Sequence, residues 1–321
     1  GRYDDYSDFG GTFTPSIGIV SNLTGSLAIR ARWGEGFVAP DMDALYGPSA
    51  AWTGFVYDPV IDADYIVDMY GYSNPDVQPE TSESLSVGFN WEYLDGHSID
   101  VAYYDIDIKN VITWPQIQDL AWADAAGEPW DPDGIRVERG PGGFITEVHS
   151  YVTNANRFET DGFDVLLSST FDTAAGVFNL QAFYSKQLSF MQNAFYKGSY
   201  QDLRNFSGKP DTRAQMGINW QLGDHSVSLI ANYIGPHAAD QEQDYVTGIH
   251  TRTEEEFDSQ ITANLSYGFD AGDWGRFRIG ANNVTDEDPV LNPLWDGPAT
   301  MSLYDYVGRV IFVEYRKTFD W

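Results

Sequence analysis

Cysteine is absent from all 321 residues, so no disulfide framework, thiolate metal site or cysteine nucleophile can be built. No run of about 18 apolar residues occurs, which excludes a transmembrane helix. Basic residues are scarce: 18 Lys and Arg stand against 48 Asp and Glu, a net charge of −30. A field that negative repels nucleic acid and argues against it as a partner. A leader segment is also missing. The chain opens on GRYDDYSDFGG, which reads as the end of a strand and a tight turn, so either a leader is removed or the chain is a fragment.

What is abundant is aromatic, at 15% of the residues, and it recurs with period two. In the last stretch, Ile311, Val313, Tyr315, Phe319 and Trp321 share one parity, while Gly308, Glu314, Arg316, Thr318 and Asp320 share the other. One face suits lipid and the other water, and aromatics at the end of such a strand suit the rim of a membrane barrel. Thr212–Leu222 sets Ala214, Met216, Ile218, Trp220 and Leu222 against Arg213, Gln215, Gly217, Asn219 and Gln221. A further strand sets Phe257, Ile261, Ala263, Leu265, Tyr267 and Phe269 against Asp258, Gln260, Thr262, Asn264, Ser266 and Gly268. About twelve such strands are predicted, counting Gly1–Asp8 and Thr12–Val20 as the first two. In Ser98–Trp114 the parity is muddied by Asp105 and Asp107, as a bulge would do.

From Ser21 onward the connections alternate. Short ones at 21–25, 94–97, 171–176, 223–225 and 270–273 separate long ones at 34–81, 115–150, 189–208, 235–256 and 284–306. All short turns therefore lie at one end and all long loops at the other, the sorting of a transmembrane barrel with short periplasmic turns and long extracellular loops. The fold class expected is all-β, a transmembrane antiparallel β-barrel. Such a barrel is the remaining way to cross a bilayer, since every backbone polar group must be paired inside lipid.

Three segments go beyond a generic barrel. Arg32-Trp33-Gly34-Glu35-Gly36-Phe37-Val38-Ala39-Pro40, followed by Ala44-Leu45-Tyr46-Gly47, resembles the "GFRAP…ELY" block of TonB-dependent outer-membrane receptors, with Val38 where that family usually has Arg. Asn74-Pro75-Asp76-Val77-Gln78-Pro79-Glu80-Thr81-Ser82 is similar to the family's "NPxLxPExS" block, and Ala281-Asn282-Asn283-Val284-Thr285-Asp286 to its "xNLFDK" segment. The resemblance implies a 22-stranded barrel of which residues 1–321 are the C-terminal part, without the plug domain or the segment that binds TonB. The rest of the barrel would then belong to the same polypeptide or to a second chain. It also implies active uptake of a scarce ligand, such as a siderophore, an oligosaccharide or cobalamin, across the outer membrane of a Gram-negative bacterium. TonB would act through the N-terminal plug region, and outer-membrane lipid would surround the wall. A self-contained twelve-strand passive porin is the alternative, but it leaves the family blocks unexplained.

The ligand surface expected from the residues is aromatic: Trp52, Tyr57, Tyr65, Tyr70 and Tyr72 in the first long loop, and Trp114, Trp122 and Trp130 around the second. Aromatic faces stack on sugar rings and on aromatic chelates, although packing of the loops on one another would use the same residues. Asp58, Asp62 and Asp64, and Asp131 with Asp133, offer the oxygen donors that Ca²⁺ takes. No full calcium-loop spacing is present, so solvated acidic loops without a cofactor are the expectation. His237 and His250 share a loop with Asp240, Glu242 and Asp244, without the spacing of a metal site. Arg30, Arg32 and Arg213 fall on the water-facing parity, where they can pair with lumen carboxylates. No nucleophile motif such as G-x-S-x-G surrounds any serine, so a catalytic role is not expected.

Overall fold

Period-two runs become strands wherever their backbone groups find a neighbour, and most of this chain does so. The computed structural model describes residues 1–7, 10–115, 117–127, 136–193, 200–243, 249–288, 290–294 and 303–319. The chain starts with a hairpin of β1 (Arg2–Tyr6) and β2 (Gly10–Thr14). Pro15 has no N–H for a ladder and divides β2 from β3 (Ser16–Asn22), so the single strand expected over Thr12–Val20 is two. β4 (Leu27–Val38) is followed by α1 (Met42–Tyr46), the hairpin β5 (Ala50–Asp58) and β6 (Ala63–Tyr72), and then β7 (Glu80–Leu94) and β8 (His97–Thr113). Next come α2 (Ile117–Ala125), β9 (Arg136–Arg139), β10 (Ile145–Tyr151), β11 (Thr153–Thr173), β12 (Gly176–Asn193) and the short β13 (Tyr200–Asp202). β14 (Thr212–Leu222) and β15 (His225–Ile234) precede a loop holding β16 (His237–Ala238), β17 (Gln241–Gln243), β18 (His250–Arg252) and β19 (Glu256–Phe257). β20 (Gln260–Asp270), β21 (Arg276–Asn282) and β22 (Val310–Arg316) end the fold.

One antiparallel sheet of twelve strands forms the wall, in the order β3-β4-β7-β8-β11-β12-β14-β15-β20-β21-β22, with β13 added beside β12. The first expected strand is not part of it, because β1 pairs with β2 in a sheet of their own. Among the described residues, the outer edges of β3 and β22 pair with no strand. Register explains the two faces. One row runs Ile29, Phe89, Val101, Val165, Tyr184, Ala214, Tyr233, Ile261 across eight neighbouring strands and is apolar throughout. The adjacent row, Arg30, Gly88, Ala102, Asp164, Ser185, Arg213, is small or polar. On that second face Arg30 donates to both Asp100 oxygens, at 2.7 and 2.6 Å.

Tight turns close one end of the sheet. Gly96 and Gly223 take φ of +74° and +53°, a region open to glycine at no steric cost. Near this end Trp91, Tyr93, Phe171, Trp274, Phe277 and Tyr315 are exposed, as aromatics of an interfacial girdle are. Trp321 lies outside the described residues. The long connections lie at the other end. The irregularity expected near Asp105 sits further on: Asp105 pairs regularly with Leu85, and the register shifts where Lys109–Asn110 faces Asn156–Phe158, with Asn110 at φ +57°. Asp107 breaks parity because this part of the strand is ionic, bridging Arg157 and Lys109.

At that end the three family-like segments act as brackets. Ala44 and Leu45 of α1 and Val77 pack with Val152 in one buried cluster. Asp41 caps the helix by accepting from the Ala44 N–H at 2.6 Å. Asn74 donates to the Val152 carbonyl at 3.0 Å, and Asn154 exchanges two hydrogen bonds with the Gln78 backbone. The third segment turns out of β21: Asn283, at φ +49°, bonds the Glu287 backbone, and Asp286 accepts from Arg309 just before β22. Phe257, expected on the apolar parity of one strand with Ile261, falls outside β20 and is buried in a loop cluster with Ala239 and Tyr304.

Candidate functional site on the loop sheet

The first two long connections are not irregular, as their lack of period suggested. They meet in a four-stranded sheet, β5-β6-β10-β9, in which β6 and β10 run parallel. Alternation sends Val56, Val67, Met69 and Val148 to one face, where Leu120 and Ala121 of α2 and Ile145 close the core. Burying these side chains is the main force holding the loops together.

That core contains an ion pair. Asp58 is fully buried; it accepts from Arg139 at 2.7 and 3.0 Å, from the Tyr65 hydroxyl at 2.6 Å and from the Val60 N–H at 3.0 Å. Arg139 also donates to Asp124 at 2.8 Å. Burial pushes the Asp58 carboxyl upward, but the Arg139 and Tyr65 hydrogen bonds outweigh it and hold it below the usual carboxylate range. Asp58 is thus an internal counter-ion rather than a Ca²⁺ ligand. Asp62, at φ +54°, accepts from the Tyr57 hydroxyl at 2.7 Å, and Asp64 is exposed on the opposite face of the sheet from Asp58. These three carboxylates do not converge. Asp131 and Asp133 lie outside the described residues.

The expected aromatic surface divides. Tyr65 and Trp122 are core: Tyr65 packs on the loop cluster and Trp122 is buried with Ala123. Tyr57, near the end of β5, is tied by its hydroxyl to Asp62 of the hairpin turn. Trp52 and Trp114, 43% and 44% exposed, lie together against Gly71, where a Cβ would stand 3.0 and 2.8 Å from their rings. Trp130 lies outside the described residues.

Tyr70 and Tyr72 come together on the face not covered by α2. His149, paired with Tyr70 across the parallel ladder, stacks on Tyr70 at 4.9 Å and 14° and on Tyr72 at 5.9 Å and 8°. Tyr151 continues the stack at 4.8 Å from Tyr72. His149 Nδ1 is 3.1 Å from the Tyr72 hydroxyl, and its Nε2 is 3.2 Å from Glu147 and 3.6 Å from Glu138. Arg136 donates to Glu138 at 2.7 Å and approaches His149 Nε2 at 3.5 Å. The Arg136 hydrogen bond holds the Glu138 carboxyl below its usual range, while the negative charge of Glu147 raises the Tyr70 phenol. Arg136, Glu138, Glu147 and His149 were not among the expected site residues. Their signal is faint: Arg136-Val-Glu138 and Glu147-Val-His149 each put two polar groups on one strand face.

His237 is buried, stacked on Tyr304 at 6.0 Å and 11° and 5.0 Å from Phe257, so it is a core residue of its loop rather than a ligand. The His250 side chain and Asp244 lie outside the description.

Comparison with known proteins agrees with this architecture. The family model described as TonB dependent receptor-like, beta-barrel matches residues 1–284. A vitamin B12 transporter, BtuB of Vibrio vulnificus (strain YJ016), is 30% identical over 138 residues, 43% of this chain and 19% of that protein. Among solved structures, the siderophore receptor PirA of Acinetobacter baumannii superposes with a TM-score of 0.69 at 15% identity, over 97% of this chain and 41% of that one. A mutant of the ferric enterobactin receptor PfeA of Pseudomonas aeruginosa gives 0.70 at 16% identity, over the same shares. Identity this low establishes a common fold, and the chain spans less than half the length of the relatives it matches. With the family model matched over most of its length, this chain belongs to the TonB-dependent receptor-like β-barrels.

Proposed function

We propose that the chain is the C-terminal part of the barrel of a TonB-dependent receptor in the outer membrane of a Gram-negative bacterium, which takes up a scarce small molecule or oligosaccharide. The observation that carries this reading is the pair of faces on the wall: an unbroken apolar row across eight strands beside a small and polar one. An apolar band of that extent, every member of it exposed or partly exposed, is suited to lipid, and its polar companion to a water-filled lumen. The remaining strands pair with the edges of β3 and β22, because unpaired backbone groups are too costly in hydrocarbon. The plug and the segment that engages TonB lie in that remainder too. The long loops face outward, and the sheet carrying Tyr70, Tyr72 and His149 meets the ligand there.

Siderophore, cobalamin and oligosaccharide uptake are all compatible with an aromatic loop face. The relatives named for vitamin B12 and for siderophores favour the first two. Accumulation of a labelled ferric siderophore and of labelled cobalamin, in cells carrying the full-length receptor with and without TonB, tests the reading. Uptake of one of them that requires both receptor and TonB is expected; equal passive entry in both strains is the behaviour of a porin and contradicts it.

A further inference from the structure

We propose that Glu138, Glu147 and His149 form a binding site for a divalent transition metal of the zinc type on the open face of the loop sheet. Three neighbouring strand positions supply the donors, since Glu147 pairs with Glu138 and His149 with Arg136 across the β9–β10 ladder. The three ligand atoms lie within 4.8 Å of one another. Tetrahedral zinc with bonds of about 2.0–2.1 Å sets its ligand atoms about 3.3–3.4 Å apart. The separations from His149 Nε2 to Glu147 and Glu138, 3.2 and 3.6 Å, bracket that edge without rearrangement of the strands.

The imidazole is fixed before any metal arrives. Its ring is held by Tyr70 and Tyr72, and its side chain is 6% exposed. With Nδ1–H donating to the Tyr72 hydroxyl oxygen, the Nε2 lone pair faces the two carboxylates, the outer-shell arrangement that metal-bound histidines use. The carboxylates are 44% and 39% exposed, so the site is closed at its nitrogen end and open at its oxygen end. Three protein donors and an open fourth position leave room for water or for a donor atom of an incoming ligand. One imidazole among carboxylates favours zinc-like ions over Ca²⁺ or Mg²⁺, which take oxygen alone.

Arg136 occupies the place of the cation in this structure. Its guanidinium bridges Glu138 and the imidazole and is 55% exposed, free to swing into solvent when a metal enters. This assignment does not depend on which ligand the receptor takes up.

The test is titration of the full-length, chelator-treated receptor in detergent with ZnCl₂, followed by calorimetry in excess Mg²⁺ to suppress binding by carboxylates alone. One site per chain is expected. Glu147→Gln, a conservative change at a half-exposed position, weakens it about tenfold or more; His149→Phe, which keeps the aromatic stack, does the same. Arg136→Gln removes the competing cation and tightens binding several-fold, which loss of a merely structural ion pair does not do. Equal zinc affinity in wild type and the Glu147→Gln/His149→Phe double variant overturns the proposal, as does weakening of binding by Arg136→Gln.

Discussion

Asp58 and Asp119 are both buried carboxylates in the loop subdomain, and they make opposite demands on pH. Asp58 is fully compensated by Arg139 and Tyr65. Removing the partner, as in Arg139→Ala, leaves a buried charge alone and destabilises the subdomain by about 3–5 kcal/mol. Limited proteolysis of the first two loops, with the wall intact, reads this directly. Asp119, in the first turn of α2, is raised by burial from 3.8 to about 6. Its folded form holds the proton more tightly, so its stability contribution is complete below pH 3.8 and is lost as pH rises through about 6. That shift corresponds to on the order of 3 kcal/mol. Asp119→Asn should therefore stabilise the loop sheet at pH 7 and remove the dependence between pH 4 and 6, measured by hydrogen exchange of α2. The depressed Asp58 carboxyl adds stability above its unfolded value and loses it only under stronger acid, so the two windows separate. Neither burial was legible in the sequence, where Asp58 reads as one more acid of a solvated loop; a charge goes inside only where a distant partner meets it, and Arg139 is 81 residues away.

At the scale of elements, β14 carries the two-faced logic in adjacent residues. Met216 lies on the apolar parity and is 41% exposed, while Gly217 faces the polar side with open space around the position of a Cβ. Met216→Arg should cost about 2–4 kcal/mol, as a charge facing lipid near mid-strand does. Gly217→Arg, one residue on, should cost far less; refolding titrations of both variants into vesicles compare them. Strand parity of this kind was readable because most of the long wall strands repeat the same pattern, β8 with its Asp105 and Asp107 being an exception, and short turns fix the next register. The loop sheet was not, since its central pairing is parallel and joins Asp68–Tyr72 to Glu147–Tyr151. Nothing local marks that contact. The aromatic residues expected as one surface were accordingly sorted by it: Tyr70 and Tyr72 to the open face, Tyr65 and Trp122 to the core. His149 joined the first group unannounced.

At the scale of the whole molecule, the family-like segments were legible before their work was. Ala44, Leu45 and Val77 pack with Val152 at the loop end of the wall, so two blocks separated in sequence meet in one buried cluster. Among the described residues the wall presents two strand edges, β3 and β22, and in the proposed membrane setting other strands must complete it. The most direct test is the intact mass of the polypeptide that carries this sequence, extracted from outer membranes. A mass at least roughly twice the 35.9 kDa of these 321 residues is expected, with the further strands and plug in the same molecule. A mass of 35.9 kDa, with Gly1 as the first residue, would contradict it and point to a self-contained porin or one piece of a split barrel.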